Sequence, residues 1–243
     1  MVLYGPTPTA KDLAHNEEAR HYAVPRFDGT DPEPYWNCTR NAVTYKIAVG
    51  RYDPYGQYFS IIHSIENQIV EYLLRLVQPN SSIVDVGSAF GSFTLPFLAS
   101  GHPVYSFEVD PKAFHEMMNH IRLNQFRSEL VNCYNIGLYD KETTGDYYDM
   151  KRVKFRRLDD VLPDLTNVSF LKIDVEGAEL EVMKGGAQLL QHNEPTLWIE
   201  CHEIFNKGVT QRVLDYVKEI GFKGYTVKEY EMVQGTKHLL IAR

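Results

Sequence analysis

The sequence has little cysteine, and what it has is poorly spaced for structural work. Cys38, Cys133 and Cys201 are odd in number and far apart, which excludes a disulfide framework or a CxxC-type metal site and fits reduced thiols. No apolar run approaches the ~20 residues that a membrane span requires. The opening residues, Met1 to Pro6, show no basic stretch leading into an apolar one. These absences lead us to expect a cytoplasmic chain with no membrane partner. A surplus of positive charge is missing too: the net charge of −7 argues against a general grip on phosphates, so no nucleic-acid partner is expected.

The last absence is the most informative. Ile83-Val84-Asp85-Val86 reads as a buried parallel strand ending at Gly87, and Phe93, Leu95, Phe97 and Leu98 begin a helix soon after. Strand, glycine turn and helix form the entrance to a nucleotide-type site. A dinucleotide fingerprint starting at Gly87 needs glycine at positions 89 and 92, which hold Ala89 and Ser92. Those glycines serve a pyrophosphate, so the ligand expected here has none. A second strand, Val104 to Phe107, runs into Glu108, an acid placed to accept hydrogen bonds from both hydroxyls of a ribose. Ribose without pyrophosphate points to S-adenosylmethionine. Gly137 and Leu138, after a third strand over 130–136, should border its adenine.

What is present divides the 243 residues into an N-terminal segment, 1–60, and a domain, 61–243. The segment mixes prolines with many aromatics. It reads as too aromatic for disorder and too broken for regular elements, a cover packed on the domain or a substrate lid. Apolar spacing predicts a helix over 59–77 that carries His63, read as structural. Asp110-Pro111 starts a helix reaching to Phe126. Within it His115 and His120 are spaced wrongly for a metal.

A strand pair spans Gly145 to Leu162. On it Arg152, Lys154 and Arg156 alternate with Val153 and Phe155, so the basic side chains share a face. That face is either a charged edge guarding against aggregation or a clamp for an anionic acceptor group. Asp159 or Asp160 is read as the cap of a short helix that follows.

A second rim emerges downstream. The strand over 170–174 ends at Asp174, and Thr196 to Glu200 ends in Glu200-Cys201-His202. Alternation puts Glu200 and His202 on one face, so Asp174, Glu200 and His202 can converge beside the cofactor. Lys172 points the same way as Asp174; it reads first as a strand lysine paired with Glu176 or Glu179, and second as a contact to a substrate oxygen. His238, at the start of a terminal strand, reads as structural.

Four segments occur here in the order found in FkbM-type methyltransferases. They are Val84-Asp85-Val86-Gly87, Phe107-Glu108, Leu158-Asp159-Asp160-Val161-Leu162 and above all the decapeptide Phe170-Leu171-Lys172-Ile173-Asp174-Val175-Glu176-Gly177-Ala178-Glu179. The chain resembles that family over roughly residues 60 to 205. The resemblance implies a class I methyltransferase, Rossmann-like α/β fold: a doubly wound, seven-stranded, mostly parallel sheet with an N-terminal helical or irregular extension. It also implies S-adenosylmethionine and O-methylation of a sugar, glycan or nucleotide-sugar hydroxyl, the alternative being a non-carbohydrate natural product. Cofactor-facing residues are then Asp85, Gly87, Ser88, Ala89, Phe90, Gly91, Glu108, Gly137, Leu138 and Asp174. Ser88-Ala89-Phe90 departs from the family's usual Ala-Asn-Ile/Val, so Ser88 is expected to supply the missing hydrogen bond. An alcohol needs a base within reach as its methyl acceptor bond forms. His202 is the first choice, Asp174 the second, with Glu200 holding the imidazole tautomer. A rival scheme makes Asp174, Glu200 and His202 ligands of a divalent ion.

Overall fold

A computed structural model of the chain describes residues 35–40, 43–48, 67–147, 150–233 and 235–243. Most of the 1–60 segment, with the lid expectation attached to it, lies outside the described residues, as does His63. The part that is described differs from the irregular segment expected. Strands β1 (Tyr35–Arg40) and β2 (Val43–Ala48) pair as an antiparallel hairpin. Val43-Thr44-Tyr45-Lys46-Ile47 alternates, and Tyr45 and Ile47 are buried in the core with Val70 and Phe97. The side-chain amide of Asn124 donates to Lys46 O and accepts from Lys46 N, both at 2.6 Å, as a neighbouring strand would.

After helix α1 (Asn67–Leu74) come the two strands that set the site, β3 (Ser82–Val86) and β4 (Val104–Phe107), with α2 (Thr94–Ala99) between them. Next are α3 (Pro111–Asn124), β5 (Val131–Tyr134), β6 (Gly137–Leu138), β7 (Thr143–Tyr147), β8 (Met150–Arg156), α4 (Leu158–Val161) and β9 (Val168–Ile173). The chain ends with α5 (Glu179–Gly185), α6 (Ala187–Asn193), β10 (Thr196–His202), α7 (Val209–Glu219), β11 (Thr226–Val233) and β12 (Thr236–Ala242).

The main sheet has seven strands in the order β11-β12-β10-β9-β3-β4-β5, and only the β12 pairings are antiparallel. Its central strands are buried on both faces, which is why they read as nearly continuous apolar runs. One face packs on α5, α6 and α7; the other packs on α2, α3 and the β1–β2 hairpin. Strand order reverses between β3 and β9, so the crevice above their carboxyl ends is where ligands of such sheets bind. The smaller sheet, β6-β8-β7, stands beside that crevice.

Helix α3 begins as its sequence announces, with Asp110 accepting from Lys112 N at 2.8 Å and Pro111 at the first position. Asp159 departs from its expected role. It sits inside α4, is buried, and accepts from Gln188 N (3.1 Å) and Leu189 N (3.0 Å), thereby capping α6. Gly186, at the cap position before α6, has no side chain to accept from the helix, and Asp159 supplies the missing acceptor. Among the described residues, no helix is long and apolar enough to cross a membrane.

Candidate active site

The register of the sheet builds the rim. Val86 is level with Phe107 on one side and Ile173 on the other. The hydrogen bonding then runs one residue further: Gly87 N donates to Phe107 O (2.9 Å), Glu108 N to Tyr134 O (3.1 Å) and Asp174 N to Val86 O (3.0 Å). Gly87, Glu108 and Asp174 are thus fixed at adjacent strand ends. A Cβ on Gly87 would stand 1.7 Å from Asp174 O, and its φ of +77° is also one that favours glycine. The chain crosses so close to Asp174 only because this residue has no side chain.

Ala89 occupies the left-handed region at φ +46°, a conformation that costs an L-residue about 1–2 kcal/mol. Its N–H donates to Glu108 Oε2 at 2.7 Å, while Asp110 N donates to Glu108 Oε1, also at 2.7 Å. Each oxygen of Glu108 is therefore oriented by one amide and keeps acceptor capacity for a second donor. A cavity of 660 Å³ opens above, lined by Gly87, Ala89, Phe90, Glu108, Gly137, Leu138 and Asp174 among others. Val109, Ala113 and Ile136 supply apolar wall, and β7 with Phe155 closes the far side. Burial pushes the Glu108 carboxyl up to about 7, against the pull of its two amide donors.

At the other end of the rim, Asp174 lies among charges. Lys172 Nζ is 3.2 Å from Asp174 Oδ2, 2.8 Å from Gly87 O and 3.6 Å from Asp85 Oδ1. His202 Nε2 is 3.6 Å from Asp174 Oδ1 and 3.8 Å from Glu176 Oε2, and its Nδ1 is 2.7 Å from Glu179 Oε1. Burial and the neighbouring Glu200 carboxylate raise Asp174 to about 6, with Lys172 and His202 pulling the other way. For His202 burial alone would lower the pKa. The Glu179 bond and the negative charges of Asp174, Glu176 and Glu179 outweigh it and lift the ring to about 9. His202 is an imidazolium at neutral pH.

The Methyltransferase FkbM domain family matches residues 85–223, more than half of the chain. The chain belongs to the FkbM methyltransferase family. An FkbM methyltransferase crystal structure from Methylobacillus flagellatus KT is similar in fold (TM-score 0.56, 18% identity), covering 79% of this chain and 55% of its own length. An rRNA methylase from Streptococcus thermophilus is also similar (TM-score 0.50, 15% identity), covering 73% of this chain and 95% of its own. A tRNA (guanine(37)-N(1))-methyltransferase from Phytophthora infestans is 28% identical over 64 residues, 26% of this chain and 15% of that one. The chain therefore spans a small part of that tRNA enzyme and about half of the FkbM structure. The seven-stranded, mostly parallel sheet is the class I methyltransferase fold that the resemblance implied.

Against this FkbM framework several expected residues need correction. Asp85 is fully buried beneath the loop, where its Oδ2 accepts from Thr94 Oγ1 at 2.6 Å, and it does not line the cavity. Ser88 turns inward to Phe107 O (3.3 Å), so it supplies no hydrogen bond to the cavity. Gly91 packs against Met117 of α3 and is also off the wall. Arg152, Lys154 and Arg156 do not line the cavity, which β8 reaches through Phe155; Arg152 moreover sits at a register shift with φ +57°, which interrupts the expected alternation. Phe155 is held there by Gly137, where a Cβ would lie 2.4 Å from its ring. Lys172 meets Asp174, Asp85 and Gly87 O, and it is buried beneath the loop rather than on the cavity lining, away from a substrate.

Glu200 does not hold the His202 tautomer. It faces His238 across the β10–β12 pair at 3.1 Å, and the bond and charge of His238 overcome burial to keep Glu200 below the usual carboxylate range. Glu179 holds the ring instead. Asp174, Glu200 and His202 do come together, with one ligand-type atom from each within 4.8 Å of the others. As a metal set they fit poorly: Lys172 already pairs with Asp174 and His238 with Glu200, and two carboxylates with one imidazole are few oxygens for a hard divalent ion. No chemistry is routed through a metal here. Glu179 escaped the sequence reading as a functional residue. Its position in the decapeptide was visible, but its partner 23 residues downstream was not.

Proposed function

We propose that this chain transfers the methyl group of S-adenosylmethionine to a hydroxyl of a sugar, glycan or nucleotide-sugar acceptor. The observation that carries the cofactor assignment is Glu108, two oxygens each pre-set by one backbone N–H and facing a cavity above a glycine-pinched loop. That arrangement suits the paired hydroxyls of a ribose. When bound, the cofactor supplies an electrophilic methyl carbon on a sulfonium. The carboxylates of Asp174 and Glu176 give the neighbouring wall a charge that favours the sulfonium.

Asp174 is the base of this reading, which reverses the earlier preference for His202. An imidazolium has no lone pair to take a proton, whereas a carboxylate with a pKa of about 6 is ionised at neutral pH and more basic than an ordinary one. Asp174 would take the proton of the acceptor hydroxyl as that oxygen is methylated. Lys172 holds the other Asp174 oxygen and the Gly87 carbonyl, so base and cofactor loop move as one piece.

The rRNA and tRNA enzymes among the relatives favour a second reading, an RNA acceptor. The acidic lining, Glu108, Asp110, Asp146, Asp174 and Glu176, opposes the backbone phosphates of an RNA and, within the first reading, favours a sugar or glycan over a nucleotide sugar. Methyl-labelled S-adenosylmethionine offered with a panel of nucleotide sugars and glycans, and separately with unmodified tRNA and rRNA transcripts, separates the two. Label in a sugar hydroxyl is the expected result; label only in RNA overturns it.

A further inference from the structure

Glu179 is completely buried at the first position of α5, yet the bonds it makes reach back to the site. Its Oε1 accepts from Gly177 N at 2.8 Å and lies 2.7 Å from His202 Nδ1, while its Oε2 has no hydrogen-bond partner among the described residues. A buried carboxylate with one oxygen unpaired is costly. The turn it braces carries strain at Glu176, whose φ is +55°, while Gly177 takes its φ of +102° freely. Gly177 is further held by Asn206 Nδ2 at 2.7 Å, and a Cβ there would come within 3.0 Å of Phe205. Valine, glutamate, glycine and alanine at 175–178 all line the cavity.

We propose that Glu179 is a positioning residue of the methyl-transfer site: through His202 Nδ1 it turns the opposite ring nitrogen toward Asp174, and through Gly177 it fixes the turn that walls the cofactor cavity. With Nδ1–H committed to Glu179, Nε2–H is the edge left facing Asp174 and Glu176. The carboxylate of Asp174 is thereby held between Lys172 Nζ and His202 Nε2. The consequence for turnover rests on the assignment of Asp174 as base, whereas the geometric claim does not.

The sign of one titration decides the matter. Around Asp174 stand Lys172 of β9, Glu176 of the turn, and Glu200 and His202 of β10, with His238 of β12 behind Glu200 and Glu179 of α5 behind His202. Removing the charge of Glu179 acts on Asp174 in two opposed ways. Directly, one fewer negative charge lowers its pKa. Indirectly, His202 loses its partner and its proton, and Asp174 loses a cation, which raises it.

The experiment is carbon NMR of the Asp174 carboxyl in the full chain with labelled aspartate, assigned by Asp174→Asn. In Glu179→Gln the midpoint is expected to rise by about one pH unit. His202→Gln, which removes the cation but leaves the Glu179 charge in place, should raise it more, and the double variant should fall back to the Glu179→Gln value. A fall, no change, or additive shifts would overturn the proposal. If Glu179→Gln does not fold, Glu179→Asp, which withdraws the charge by one methylene, should give a smaller rise of the same sign, and a fall or no change there overturns it equally. Calorimetry with S-adenosylhomocysteine tests the turn: a loss of about tenfold in affinity in Glu179→Gln is expected and unaltered affinity contradicts it. If Asp174→Asn retains full turnover, the assignment of the base fails while these results stand.

Discussion

Glu108 and Asp174 are two acids at one rim, each one residue beyond a buried strand that neighbours β3, and burial raises both. Their partners differ completely. Glu108 is oriented by two backbone amides, Asp174 by a lysine and an imidazolium. Backbone donors are fixed and carry no net charge, so they aim a carboxylate without committing it to a counterion. That suits an acid which must accept hydrogen bonds from neutral hydroxyls. Side-chain cations set the protonation state of their partner and shift with it, which suits an acid that exchanges a proton. One strand end is arranged for grip and the other for chemistry.

The sharpest way to break that division is to neutralise each acid in turn. Asp174→Asn should lower single-turnover methyl transfer on the order of 10³-fold, the usual scale for a lost base, and leave S-adenosylhomocysteine affinity nearly unchanged. A large fall in affinity would move Asp174 to the gripping side. Glu108→Ala should do the opposite, weakening S-adenosylhomocysteine by about 100-fold, as expected for lost hydrogen bonds to a charged acceptor. Isothermal calorimetry reads this directly, and a variant that binds normally but turns over slowly would erase the contrast.

A smaller effect comes from pH. Ribose hydroxyls donate to the carboxylate form of Glu108, whose pKa is pushed up to about 7 by burial. Protonation then competes with binding as pH falls. Affinity for S-adenosylhomocysteine should drop by about tenfold from pH 8 to pH 6, with proton release on binding near pH 6.5, and Glu108→Gln should flatten the profile. An affinity independent of pH in the native chain would mean that Glu108 does not meet the ligand. The smallest expected effect is none: EDTA should leave turnover unchanged, because Lys172 and His238 already occupy the carboxylates a metal would need. Loss of activity restored by Mg²⁺ would reinstate the metal scheme.

What could be read from the sequence follows from local chemistry. A doubly buried parallel strand must be apolar along its length, so β3, β4 and β9 announce themselves and their ends mark the rim at Gly87, Glu108 and Asp174. What could not be read depends on three-dimensional pairing. Glu200 meets His238 because β10 and β12 run antiparallel in one register, and that register is written in neither strand. Alternation in β8 is broken at Arg152, which lies at a register shift with φ +57°, and it is silent on which face sees the cavity; the answer came from Phe155 packing under Gly137. Asp159 looked like a local cap because capping residues usually are, while here it serves a helix 28 residues further on. His202 looked like a base because an isolated imidazole is half-neutral near pH 6.5; three surrounding carboxylates changed that.

The most direct test of the central claim is a crystal structure with S-adenosylhomocysteine bound. Both ribose hydroxyls should lie at about 2.7 Å from Glu108 Oε1 and Oε2, with the sulfur turned toward Asp174. A ribose placed away from Glu108, or a ligand that leaves the space above Gly87 empty, would contradict it.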